Sequence, residues 1–108
     1  MHVRCAYLIG RILPEGEERF RRHVEKVVLP LMRKLPGNRA ARALWPREHE
    51  AGAPATCLVL EHVYDSAAAL AVALASPDRQ IMRNSLAEVL SLFEGEVAHV
   101  NYDVVDPD

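Results

Sequence analysis

Apolar residues in this chain switch between two spacings, and the switches mark out its elements. Over His2–Ile12 they alternate, with Val3, Cys5, Tyr7 and Ile9 on one side and Ala6, Leu8 and Ile12 on the other. Both sides are apolar, as in a strand covered on both faces at the centre of a sheet. From Pro14 the spacing becomes helical: Phe20, Val24, Val27, Leu31 and Leu35 recur every three or four residues and are predicted to face the sheet. Glu15, Glu17 and Glu18 in the first turn and Arg33 and Lys34 in the last complement the helix dipole. Pro30 cannot donate to the carbonyl of Lys26 and predicts a kink or weakened turn. Pro36-Gly37 ends the helix.

A second strand is predicted over Arg39–Arg47, with Pro46 pointing to a sheet edge. Glu48–Ala55, carrying Gly52 and Pro54, reads as a loop, and Thr56–Tyr64 as a central third strand, apolar on both faces. Asp65 or Ser66 caps an alanine-rich helix that Pro77 breaks and restarts. Met82, Leu86, Val89 and Phe93 lie along one side of the restarted stretch, Gly95 closes it, and Val97–Val105 is the last strand. The order β-α-β-β-α-β over residues 1–108 predicts one domain of the α+β class, a ferredoxin-like sandwich with right-handed crossovers. Two helices cover one face of a four-stranded sheet. An apolar second face requires a cover of its own, so the expectation is a homodimer with sheets face to face, a dimeric α+β barrel with its ligand pocket on that leftover side.

Composition narrows the classes. A formal charge of −2 over 108 residues gives no footprint for nucleic acid or for an anionic membrane surface. The longest apolar runs, such as Val27–Met32, are far too short to span a bilayer. The amino-terminal stretch passes into a charged helix with no cleavage signal, so no signal peptide is expected. Cys5 and Cys57 both fall in strands, which suits reduced thiols in a cytoplasmic protein.

The run Phe20–Gly37 (FRRHVEKVVLPLMRKLPG) resembles the first helix of the EthD-like family, named for ethyl tert-butyl ether degradation. Glu61–Ser66 (EHVYDS) resembles that family's strand ending in an aromatic-Asp-Ser turn, and Ala75-Ser76-Pro77 with the Phe93 stretch resembles its carboxy-terminal half. The resemblance covers most of the chain in order and implies a dimeric α+β barrel acting on, or binding, a small molecule. Muconolactone isomerases, polyketide cyclases, heme-degrading monooxygenases and stress-response barrels share this fold, so the fold alone does not assign an activity. In one respect the chain departs from the family: Val28 stands where the first helix typically carries a histidine, two positions before Pro30-Leu31. Valine neither moves a proton nor binds a metal.

The candidate chemistry follows from the strands. Cys57, Val59, Glu61 and Val63 share one side of the third strand, and Leu58, Leu60, His62 and Tyr64 the other. With Tyr64 under the helices, Glu61 is expected to face the barrel interior, either as a proton carrier or paired with Arg4 or Arg42. On the last strand His99, Asn101 and Asp103 are expected on the barrel side or in solvent, with Val100, Tyr102 and Val104 toward the helices. Glu61 and His99 are therefore the catalytic candidates, and Tyr7, Trp45, Val28 and Val63 the candidate ligand-binding positions. His2, His23, His49, His62 and His99 have no metal-site spacing, and no nucleotide or nucleophile motif is present, so neither metal nor cofactor is expected. Three readings follow. One is an EthD-like small-molecule enzyme or accessory protein acting on an apolar or aromatic metabolite. The second is a non-catalytic ligand-binding or stress-related barrel dimer, which Val28 favours. The third is a heme-handling monooxygenase-type barrel.

Overall fold

The structure is a computed structural model that describes residues 1–108. Its elements run β1 (His2–Ile12), α1 (Glu17–His23), α2 (Leu29–Arg33), β2 (Ala40–Leu44), β3 (Thr56–Tyr64), α3 (Ala67–Ala75), α4 (Pro77–Ala87) and β4 (Phe93–Asp103). The strands form one antiparallel sheet in the order β2-β3-β1-β4, and all helices lie on one side of it. This is the α+β, ferredoxin-like arrangement that the apolar spacing predicts.

Register fixes the two faces. His2, Arg4, Ala6 and Leu8 of β1 lie on the helix side with His62, Leu60 and Leu58 of β3 and Ala41 and Ala43 of β2. Cys5, Tyr7, Val59, Glu61, Val63 and Arg42 lie on the uncovered side. On β4, Val97, His99, Asn101 and Asp103 stand opposite Leu8, Ala6, Arg4 and His2. That strand is reversed relative to the sequence expectation: its polar set faces the helix side, and Ala98, Val100 and Tyr102 face away. The helices do not pack closely over this edge strand, so polarity there no longer reports which side is dry.

β4 begins at Phe93 rather than Val97, because Gly95 does not end a helix. It sits opposite Gly10 on β1, and a Cβ on either glycine would lie 2.0–2.1 Å from a carbonyl oxygen of the other strand. Both have positive φ (146° and 150°), so only glycine fits this close crossing. β2 stops at Leu44, two residues before Pro46, which has no N–H to extend the ladder.

Between α1 and α2 the helix widens into a π-turn, Val24–Val28, in which the Leu29 N–H donates to the Val24 carbonyl five residues back. Pro30 follows at once and has no N–H to close an α-turn on Lys26. The widening changes which residues reach the sheet. Phe20, Val24, Val28, Met32 and Leu35 are buried, whereas Val27 is 38% exposed and Leu31 half-buried. In an α-helix each step of four residues overshoots a full turn by about 40°. The wider π-turn takes up that drift and keeps a run of fourth residues in line. The core residues after Val24 are therefore Val28 and Met32 rather than Val27 and Leu31.

Ser66 caps α3 by accepting a hydrogen bond from the Ala69 N–H (3.1 Å), and the break at Pro77 is as the sequence predicts. The larger core joins Leu8, Phe20, Val24, Val28, Leu58 and Leu60 between the sheet and α1–α2, and a smaller one joins Leu35, Tyr64, Leu70 and Ala73 under α3. Cys5 and Cys57 are free thiols. No helix is long and apolar enough to cross a membrane.

Candidate functional site

α3 and α4 leave a cavity of about 340 Å³ between themselves and the β3–β1–β4 part of the sheet. Its walls are mostly apolar, with Met32 and Leu60 toward the core and Met82 and Leu86 from α4. Its polar groups are Arg4 on β1, His62 on β3, His99 on β4, and Arg79 and Arg83 on α4. Alternation along the strands brings the first three together. Arg4 is the cross-strand partner of both His62 and Asn101, and His99 pairs with Ala6, two residues along β1. Arg79 and Arg83 stand one turn apart on the α4 face that also carries Met82 and Leu86.

The electrostatics of this group are one-sided, since no carboxylate lines the cavity. His62 is buried, and its Nδ1 is hydrogen-bonded to the Tyr64 hydroxyl (2.8 Å), leaving Nε2 without a protein partner. Burial, then Arg4 and His99, pull its pKa down to about 4. His99 is lowered as well, by desolvation and then by Arg4, Arg79 and Arg83. Both imidazoles are therefore neutral near pH 7, each with one lone pair and one N–H. Burial, then the charge of Arg79, lower the Arg4 guanidinium, which donates to the Asn101 side-chain oxygen (3.1 Å). Arg79 donates to the Leu74 carbonyl (3.3 Å). The neutral imidazoles offer a bound molecule hydrogen-bond donors and acceptors, and the guanidinium charges beside them can stabilise an anionic group.

Of the six residues singled out from the sequence, His99 alone lines this cavity. Glu61 lies on the opposite, uncovered face, where its Oε1 accepts from Arg42 Nε at 2.7 Å. Its distance from the cavity follows from strand alternation, because its neighbour His62 takes the inward position. Tyr7 and Val63 share the uncovered face, and Tyr7 there is hydrogen-bonded to Tyr102 of β4, which pushes its pKa up. Val28 is fully buried core against the sheet, placed there by the π-turn. Trp45 is on the helix side but toward the other end of the sheet. It packs edge-on to Phe20 (6.4 Å between centroids), lies under Arg21 (4.6 Å) and donates to Glu25 (3.0 Å). Arg4, His62, Arg79 and Arg83 line the cavity without a sequence motif that singles them out, although the place of His62 on the Tyr64 side of β3 puts it toward the helices.

A second, more open hollow of about 400 Å³ lies near Gly10, with Arg11, Glu17, Arg21 and His49 around it. His49 Nε2 donates to the Thr56 carbonyl (2.7 Å) and ties the loop to β3. Likewise His23 Nε2 donates to the Ser85 carbonyl (2.7 Å), joining α1 to α4. No three His, Cys, Asp or Glu side chains come together as a metal site.

No protein-family model matches the sequence, and no curated protein matches it. Solved structures do. An ethyl tert-butyl ether degradation (EthD) family protein from Bacillus halodurans superposes with a TM-score of 0.75 at 20% identity, over 97% of this chain and 100% of that one. A candidate antibiotic biosynthesis monooxygenase from Nitrosomonas europaea gives 0.64 at 18% identity, over 98% and 100%. A dimeric ferredoxin-like protein of unknown function from Thermobifida fusca gives 0.63 at 17% identity, over 96% and 92%. The chain thus has the ferredoxin-like fold shared by EthD and antibiotic biosynthesis monooxygenase proteins.

Proposed function

We propose that this protein is a cytoplasmic small-molecule enzyme or accessory protein that takes an apolar or aromatic metabolite into the cavity beneath α3 and α4. The observation that carries this reading is the pairing, in one 340 Å³ apolar cavity, of two histidines held neutral with three arginines around them. Such a site combines an apolar body-binding surface with a few convergent polar groups. His99, at the cavity's edge strand, is the proton carrier, and His62, fixed by Tyr64, positions the ligand from the buried wall. Glu61 takes a structural role with Arg42.

The working unit is a homodimer formed through the uncovered sheet face, where Leu44, Val100 and Tyr102 are each about 40% exposed beside Val59 and Val63. A largely apolar face of this kind, interrupted by the Arg42–Glu61 pair, is the ordinary mark of an interface. The ligand site lies on the other side of each sheet. A binding-only role is the second reading, favoured by Val28, which supplies no proton-moving group on the first helix. Native mass spectrometry of protein purified from its own host tests the first part: a co-purifying organic molecule, lost in a cavity-filling Leu86→Trp variant, is the expected result. A cavity that takes up no small molecule would overturn the reading. Turnover of that molecule, abolished in His99→Gln, separates enzyme from binder.

A further inference from the structure

Three guanidinium groups reach one cavity, and none of them has a carboxylate within salt-bridge distance. Arg4, Arg79 and Arg83 form no ion pair; Arg19, Arg33 and Arg47 form none either, but those three lie apart on the surface, whereas the cavity brings its three together. Their protein partners are neutral oxygens, the Asn101 amide for Arg4 and the Leu74 carbonyl for Arg79, while Arg83 makes no side-chain hydrogen bond. They sit close enough for Arg79 to disfavour the charge on Arg4. Like charges gathered against an apolar wall, with water partly excluded and no counter-charge, cost free energy in the empty protein.

We propose that the ligand of this cavity is an organic anion: an apolar or aromatic body ending in a carboxylate or an acidic enol or phenol oxygen, whose negative charge completes the Arg4–Arg79–Arg83 cluster. The inference rests on the reading of the cavity as the ligand site and adds its charge. Geometry supports it from both sides. Arg79 and Arg83, four residues apart with Met82 between, present two donor groups and an apolar side chain from one helix face. Arg4 approaches from the sheet, so a planar anionic group between sheet and helix meets donors on two sides. The apolar remainder of the ligand then lies against Leu60 and Leu86, within reach of His62 and His99. An uncharged metabolite would leave the guanidinium groups facing one another.

Calorimetric titration with cinnamate and its uncharged isostere cinnamamide tests this on the 108-residue protein. The expected result is cinnamate binding about tenfold or more tighter than the amide. Arg83→Gln and Arg79→Gln, both on the helix surface and outside the packed core, should each weaken cinnamate and leave cinnamamide unchanged. Equal affinity for both probes, or a preference for cinnamate that survives in the Arg79→Gln/Arg83→Gln double variant, would overturn the anion inference while leaving the cavity as a ligand site. Binding of neither probe at millimolar concentration would overturn both the charge and the site.

Discussion

Arg42 and Glu61 face each other across β2 and β3, with Nε and Oε1 2.7 Å apart, on the sheet face that no helix covers. The carboxylate is the more buried partner, its side chain 15% exposed against 67% for the arginine. This pair explains an acid in the middle of an apolar strand without giving it chemistry. Glu61→Gln keeps the shape and most of the hydrogen bonding. It should cost about 1 kcal/mol in denaturant melts and leave the affinity of any cavity ligand unchanged. A variant that folds normally but loses turnover would return Glu61 to the catalytic candidates.

Assembly through that same face is directly measurable. Light scattering after gel filtration should give twice the 12.1 kDa of one chain at micromolar concentration. Val100→Asp places a charge on the open face and should yield the single-chain mass. Wild type at 12.1 kDa would end the face-to-face barrel reading.

The first helix makes two opposite predictions. Pro30 is exposed, and Pro30→Ala restores an N–H while adding chain freedom in the unfolded state, so stability should shift by no more than about 1 kcal/mol. Val28→His, by contrast, puts an imidazole in the core beside Val24, Met32 and Leu58, and should cost at least ~2 kcal/mol. Thermal or urea melts of the two variants check both. A mild Val28→His would mean that this side chain borders a cavity after all.

His62 gives the fold a pH dependence of known sign. Its folded pKa, about 4, lies below the ordinary value near 6.5, so the folded state binds the proton less readily than the unfolded chain. Its contribution is fully present above pH ~6.5 and is lost as pH falls through ~4, about 3 kcal/mol in all. Urea melts at pH 7.5 and 4.5 should show most of that loss in the wild type. His62→Gln should lose distinctly less, and equal losses in the two proteins would assign the acid sensitivity to other groups.

Much of this architecture is legible in the sequence because its signals are local. Apolar runs bounded by turn residues delimit His2–Ile12 and Thr56–Tyr64 as the structure has them, and a serine before an alanine run marks the start of α3. What escapes is set by partners distant in sequence. Gly95 looks like a helix stop until Gly10 is placed opposite it on the neighbouring strand. The polarity of β4 misleads because α4 stands off from that edge and leaves a cavity rather than a packed layer. The cavity itself has no local signature: Arg4, His62, His99 and the α4 arginines come from four separate elements. The leftover sheet face, where Glu61, Tyr7 and Val63 lie as expected, is on the opposite side of the sheet from the cavity lined by His62 and His99.

The π-turn at Val24–Val28 bears on how this chain can be matched to others. It is one residue of slack inside a helix, invisible to any comparison that counts positions from the helix start. Beyond it, the residue facing the sheet is one place later than an unbroken α-helix would put it, Val28 instead of Val27 and Met32 instead of Leu31. A role carried over by numerical position across this turn, as to Val28, arrives on the wrong side of the helix whenever the other chain lacks the slack. Equivalent residues here have to be matched by the direction they point rather than by their place in the line.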